Sequence, residues 1–315
     1  MTTIMAPADA GGDRWVRREP LAGDASTRRY FRLTDRRGRT AILAEYPSDL
    51  RPALRRDLEV MAWLGGLGLR LPAVLEQDLE DGRVILEDLG PADAEATLRS
   101  VRPAERPALA AALLGPLAAL AAQPASALPG WNRPLDAGRL RWELAGFELW
   151  FVRRRQGVTP SPALDRFMDE LAGEVAAHPL RICHRDYHLN NLYLLDTGAV
   201  AVIDAQDALV GPDTYDAVSL VEERAMPELL AESERQSLRQ AWAARTAAAP
   251  GWERRWTRVR AQRALKVLGT FARLEAAGRT GYTRWMGSLA AGLAADADAV
   301  ELPGPVVDRL LDLDG

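Results

Sequence analysis

Three side chains within one short stretch have the types and spacing to manage a phosphate group. Asp186 closes the tripeptide His184-Arg185-Asp186, Asn191 follows five residues later, and Asp204 lies thirteen residues beyond that, at the end of an apolar run. Phosphoryl transfer needs a carboxylate to orient the acceptor hydroxyl, and oxygen ligands for a magnesium ion that neutralises charge on the β- and γ-phosphates. Asp186 supplies the first; Asn191 and Asp204 supply the second. An isolated His-Arg-Asp arises by chance, and an aspartate at a strand end is often only a turn residue. The order of the three, with a hairpin between the last two, carries the reading.

The elements that must position these groups are legible around them. Leu192–Leu195 and Val200–Ile203 are short apolar runs flanking the turn Asp196-Thr197-Gly198-Ala199, which brings Asn191 and Asp204 to one end of a hairpin. Residues 15–90 read as a small sheet with one helix. Arg29–Leu33 and Ala41–Tyr46 form an antiparallel pair across the polar connection 34–39, and Val84–Leu86 is a further strand. Leu54, Leu58, Met61, Ala62 and Leu64 recur at helical spacing up to Gly65-Gly66, and a turn is expected over Gly23–Thr27. Residues 91–315 change to alanine- and leucine-rich amphipathic helices, and residues 1–14, small and polar, are expected to be disordered.

Composition excludes several classes. A chain of 315 residues, 48% hydrophobic and 27% charged, suits a globular protein of one large or two modest folding units. With a net charge of −4 and basic residues spread along the chain, a nucleic-acid or anionic-membrane partner has no electrostatic footprint. The apolar stretch Leu109–Ala122 is short, half alanine and interrupted by Gly115-Pro116, so it reads as helix pieces rather than a membrane span. The single Cys183 rules out an internal disulfide and fits a reducing compartment, for which the cytoplasm is the default.

The segments Cys183–Leu192 (CHRDYHLNNL) and Val202–Leu220 (VIDAQDALVGPDTYDAVSL) resemble the aminoglycoside phosphotransferase superfamily. Within it, Gly23-Asp24-Ala25-Ser26, Arg28–Arg32, His184–His188 and Gln206-Asp207-Ala208 before Gly211-Pro212 are most similar to the kinases that phosphorylate N-acetylmuramate and N-acetylglucosamine at C1 in peptidoglycan recycling. The resemblance implies an α+β, protein-kinase-like fold of two lobes. The small antiparallel-sheet lobe would end near Gly90, a large, mainly helical lobe would follow, and ATP would lie between them. It implies Asp186 as base, Asn191 and Asp204 as magnesium ligands, His184 and His188 as support for the loop or acceptor, Asp207 as shaping the site, and Asp216 as bracing the catalytic loop. The stretch 84–90 resembles a hinge in which backbone groups of Glu87 and Leu89 meet adenine. A monomer acting on a small-molecule sugar, with no nucleic-acid or membrane partner, completes the expectation.

Two departures from the family pattern stand out. The strand that usually carries a phosphate-holding lysine reads Ala-Ile-Leu-Ala-Glu-Tyr, and the chain's one lysine, Lys266, lies far off in sequence. Arg28 or Arg29 is the candidate replacement, because a guanidinium fork binds phosphate oxygens bidentately; Glu59, or Asp57 on the same helix, would orient it. Ala205 stands after Asp204 where the amino-sugar kinases tend to carry phenylalanine. The alternative is an aminoglycoside or other metabolite kinase, for which Glu143, Glu148, Glu222 and Glu223 would form an acidic acceptor pocket. A catalytically silent nucleotide-binding protein is a further alternative. Trp142 and Trp150, eight apart on an expected helix, would pack in the core or wall the sugar site, and His178, beside Pro179, is expected at the surface.

Overall fold

The strand-like runs Arg29–Leu33 and Ala41–Tyr46, joined by a polar connection, set an antiparallel pair around which a sheet forms near the start of the chain. The computed structural model describes residues 14–21, 28–222 and 224–311, so the expected turn over Gly23–Thr27 and, but for Arg14, the segment 1–14 expected to be disordered lie outside the described residues; Arg14 is described, and its guanidinium meets Glu76 at 3.0 Å. Five strands, β1 (Trp15–Pro20), β2 (Arg29–Asp35), β3 (Thr40–Glu45), β4 (Val74–Asp78) and β5 (Arg83–Glu87), form an antiparallel sheet in the order β1-β2-β3-β5-β4. One face buries Trp15, Leu33, Ala41, Leu43 and Ile85. The opposite face, with Ala44, Tyr46 and Val84, packs with Leu54 of helix α1 (Arg51–Gly66). β1 and β4 escape the sequence pattern because edge strands bury few side chains; β4 is almost wholly exposed.

The chain divides into two compact units, residues 1–97 with 190–206, and residues 98–189 with 207–315. The hairpin β7 (Leu192–Leu194) and β8 (Val200–Val202) clusters with the sheet unit although it lies deep in the sequence. A parallel bridge between Arg70 and Ala201, with the Val202 N–H donating to the Arg70 carbonyl at 2.8 Å, joins it there.

The second unit is mainly helical: α2 (Ala94–Ser100, which begins in the first unit), α3 (Arg106–Ala112), α4 (Gly115–Ala121), α5 (Ala137–Gly146), α6 (Pro162–Ala176), α7 (Tyr215–Val221), α8 (Met226–Leu229), α9 (Glu232–Arg245), α10 (Trp252–Ala276) and α11 (Met286–Ala295), then shorter pieces to residue 311. Among the described residues, Pro103–Ala121 is long and apolar enough by length and composition to cross a membrane. It is broken at Leu113-Leu114 between α3 and α4, and both of those leucines are buried. A two-stranded ladder of β6 (Leu180–Cys183) and β9 (Leu209–Pro212) supports the segment that carries Asp186.

Two expectations are corrected. His178 is buried, 8% exposed, close to Asp213, Arg255 and Glu174; its place at the foot of β6 draws it inward, and burial lowers its pKa. Trp142 is 73% exposed and Trp150 is half-buried beneath the Arg154 guanidinium, so neither joins the core. The reason is local: α5 gives way at Phe147 to a π-helix running to Arg155, and the inward face is Leu140, Leu144, Phe147 and Phe151. Both tryptophans lie off that face.

Candidate active site

Asp186 sits on a loop whose path is fixed through its backbone. The buried Asp216 carboxylate, on α7, accepts hydrogen bonds from the N–H of His184 (2.6 Å) and of Arg185 (2.9 Å). Between them they hold Arg185 in a left-handed conformation, φ 80°, which a side chain with a Cβ adopts only under constraint. Burial pushes the Asp216 carboxyl up against the opposing pull of His184 and the two N–H groups. Tyr187, fully buried, donates its hydroxyl to the Leu113 carbonyl at 2.7 Å, using an acceptor that the break between α3 and α4 leaves outside regular helix. Its ring meets that of the buried His184 edge-on at 5.8 Å.

Cations surround the Asp186 carboxylate. Burial alone would raise its pKa, but the charges of Lys266, Arg185, Arg263 and His184 hold it below the usual range. Lys266 donates to Glu143 Oε1 (2.9 Å) and to the Tyr215 hydroxyl (3.2 Å). Burial opposes its charge, but Tyr215 and Glu143 raise its pKa. Arg185 lies 3.6 Å from Glu143 and 3.4 Å from Asp207. Burial pushes the His188 imidazole down to about 4, so it is neutral at pH 7, with Asp186 pulling the other way. The face of α10 that carries Lys266 reaches this region because Gly269 lets the helix backbones touch: a Cβ there would stand 2.4 Å from the Phe147 nitrogen.

On the sheet unit the hairpin sets Asn191 and Asp204 side by side. Leu192 pairs with Val202 across β7 and β8, and the Ile203 N–H donates to the Asn191 carbonyl at 3.0 Å, so the residues that flank the ladder are neighbours. Gly198, at φ 79°, makes the turn. Asp204 is exposed and itself left-handed at φ 64°, and Gln206 donates to its Oδ1 at 2.6 Å. One carboxylate and one amide oxygen form a hard-oxygen pair of the kind that fits magnesium, which keeps waters and takes the rest of its ligands from phosphates.

The same unit distinguishes the two candidate arginines. Arg28 faces α1: its Nη2 is 2.8 Å from Asp57 Oδ2, its guanidinium stands 4.7 Å above the Tyr46 ring, and it hydrogen-bonds Tyr30. Asp57, 2% exposed, also accepts from the Tyr46 hydroxyl at 3.1 Å, whereas Glu59 faces solvent. Burial raises the pKa of Tyr30, and the charges it feels include both Arg28 and Asp204, which places that phenol in the field of each. Arg29, on the other side of the strand, has a side chain 74% exposed and 3.0 Å from Glu45, a carboxylate also approached by Arg18 and Arg83.

At the end of β5, the Glu87 side chain holds Arg70 and accepts from the Ala73 N–H. The Glu87 N–H donates to the Ala73 carbonyl, while the Leu89 N–H has no hydrogen-bond partner among the described residues. Arg32 grips the segment: it meets Asp88 through two nitrogens, at 2.7 and 3.1 Å, and the Gly90 carbonyl at 3.1 Å. Sequence reasoning missed this brace, although Arg32 shares the β2 alternation of Arg28 and Tyr30.

The expected site residues therefore fall into two groups. His184, Asp186, His188, Asp207 and Asp216 belong to the helical unit, and Arg28, Arg29, Glu87, Leu89, Asn191 and Asp204 to the sheet unit. The glutamates expected to line an acidic pocket are engaged. Glu143 holds Lys266, Glu148 holds Arg153, and Glu222 holds Arg235, Arg239 and the Trp256 indole N–H. Glu223 lies outside the described residues.

Comparison with known proteins agrees with this architecture. A kinase of N-acetylmuramate and N-acetylglucosamine from Pseudomonas aeruginosa is 32% identical over 86% of this chain and 80% of its own length. Among solved structures, a choline kinase of Streptococcus pneumoniae superposes with a TM-score of 0.62 at 14% identity, covering 90% of this chain and 94% of that one. An aminoglycoside phosphotransferase of Streptomyces rimosus, in complex with ADP and streptomycin, does so with a TM-score of 0.55 at 20% identity, over 79% and 92%. The fold is thus the protein-kinase-like one expected, a small antiparallel-sheet lobe and a mainly helical lobe. The model of the phosphotransferase enzyme family matches residues 17–261, and the chain is a member of that family.

Proposed function

We propose that the protein transfers the γ-phosphoryl group of ATP to the anomeric hydroxyl of N-acetylmuramate or N-acetylglucosamine. The observation that carries this reading is the Asp186 carboxylate, kept ionised by Lys266, Arg185 and Arg263 at the head of a loop clamped by Asp216. An ionised carboxylate at that place accepts the acceptor's proton as the oxygen–phosphorus bond forms. The bond from the γ-phosphorus to the bridging oxygen breaks, and ADP leaves with that electron pair. Arg28 holds ATP phosphate oxygens, oriented by Asp57, and backbone groups of Glu87 and Leu89 meet the adenine. Asn191 and Asp204 hold magnesium, which supplies charge neutralisation on the phosphates. The relative's acceptor sugars suit this site better than a cationic aminoglycoside, because Glu143, Glu148 and Glu222 already carry basic partners. The protein acts as a monomer in the cytoplasm.

The test is turnover of ATP with magnesium across a panel of sugars and aminoglycosides, with the position of the new phosphate read by NMR. A 1-phosphate on either amino sugar is expected. Phosphate at another hydroxyl, or on aminoglycosides alone, overturns the acceptor assignment, and nucleotide binding without transfer to any acceptor favours a silent protein. Asp186→Asn should keep ATP binding and lower turnover by about 10²- to 10⁴-fold; near-normal turnover removes Asp186 from the chemistry.

A further inference from the structure

Helix α10 has four arginines that are not fully exposed, and three of them are neutralised. Arg255 pairs with Asp213 at 2.7 Å, Arg258 with Glu174 at 3.0 Å, and Arg260 with Asp296. Arg263 is the exception. Its Nη2 donates to the Ser219 hydroxyl at 2.6 Å, and its guanidinium lies 4.6 Å from the centre of the Tyr215 ring. Its Nη1 is buried with no partner, and no carboxylate among the described residues stands within ion-pairing distance of it. A guanidinium held by a ring and a hydroxyl, with one terminal nitrogen withdrawn from water and unpaired, is costly unless an anion completes it.

The position indicates which anion. Arg263 lies one turn before Lys266 on α10, both flank Tyr215, and both act on Asp186. Glu143 is already engaged by Lys266 and approached by Arg185. The anion therefore arrives with the molecule whose hydroxyl Asp186 orients. The two acceptor sugars differ in this respect: N-acetylmuramate carries a lactyl carboxylate on O3, two ring carbons from the anomeric hydroxyl, and N-acetylglucosamine carries none.

Resting on the function proposed above, we infer that Arg263 is a specificity-determining residue that binds the acceptor's carboxylate and favours the acidic amino sugar over the neutral one. Its planar fork matches a carboxylate in a way that an ammonium group does not.

The experiment compares N-acetylmuramate, its uncharged lactyl amide and N-acetylglucosamine. Equilibrium binding is measured in the presence of a non-hydrolysable ATP analogue, and kcat/KM with ATP, for the parent protein, Arg263→Gln and Arg263→Lys. The preference for the acid over N-acetylglucosamine should fall by about 10- to 150-fold in Arg263→Gln, the value of a charge-assisted hydrogen bond, and recover partly in Arg263→Lys. In the parent protein the amide should bind as weakly as N-acetylglucosamine, a measurement that needs no variant to fold. Equal binding of acid and amide, or an unchanged preference in Arg263→Gln, overturns the inference. If the parent transfers phosphate to neither sugar yet binds the acid through Arg263, the proposed reaction falls and this inference stands. If it transfers to both without an Arg263-dependent preference, the inference falls and the reaction stands.

Discussion

Asp57 in the sheet unit and Asp216 in the helical unit are both buried aspartates on helices, and they do different work. Asp57 binds side chains, holding Arg28, Arg56 and the Tyr46 hydroxyl. Asp216 binds backbone, holding the amides of His184 and Arg185. A carboxylate bonded to a guanidinium fixes where a charge stands and leaves the chain's course to the sheet. A carboxylate bonded to consecutive N–H groups fixes the course of the chain itself, including a residue that would otherwise avoid φ 80°. The first should be felt mainly in ligand affinity, the second in folding as well as turnover.

The sharpest way to break this contrast is to remove each carboxylate. Asp216→Ala deletes two charge-assisted hydrogen bonds, each worth about 1.5–3 kcal/mol, and should lower stability to urea by about 3 kcal/mol or more along with turnover. Asp57→Ala should cost less stability and act chiefly on KM for ATP. Equal urea midpoints for the two variants, with ATP affinity intact in Asp57→Ala, would abolish the distinction. Within the sheet unit, Arg28→Ala should weaken ATP usage by about 10- to 150-fold, whereas Arg29→Ala, a solvent-facing change, should stay within about twofold. Steady-state ATP kinetics decide this, and matching losses would place both arginines on the phosphates.

The smallest effect concerns His188. Folded, it remains neutral down to about pH 4, while in the unfolded chain it takes up a proton near the ordinary value of about 6.5. The unfolded state then holds more protons in that window, so stability falls as pH drops from 6.5 towards 4. His188→Gln should flatten the slope between pH 7 and 5 without abolishing it, since burial lowers His178 in the same direction. An unaltered slope would show that His188 is solvated.

The two aspartates are not equally legible. Asp216 comes as a loop brace only through the family resemblance, which places an aspartate at that point of the motif. The Asn191–Asp204 hairpin is visible in the residues themselves, because a Gly-containing turn between two apolar runs determines which residues meet. Arg28 and Asp57 are 29 residues apart and meet only through the register of β2 on β3 and the roll of α1. The sequence allowed two arginines and two acids; the fold pairs Arg28 with Asp57 and leaves Arg29 and Glu59 facing solvent. The tryptophans misled because a π-helix changes the rotation per residue within one run, and no residue type announces that change. Arg263 was invisible for another reason: its significance is the carboxylate it lacks, and only the packed helices reveal which arginines are already answered.

The lysine-free strand β3 has a consequence for anyone surveying nucleotide-binding proteins by covalent chemistry. Acyl-phosphate analogues of ATP report a kinase by acylating an amine beside the bound nucleotide. The only lysine in this chain is Lys266, partly buried on the helical unit and hydrogen-bonded to Glu143 and Tyr215. Such a survey would pass over this protein however well it binds ATP.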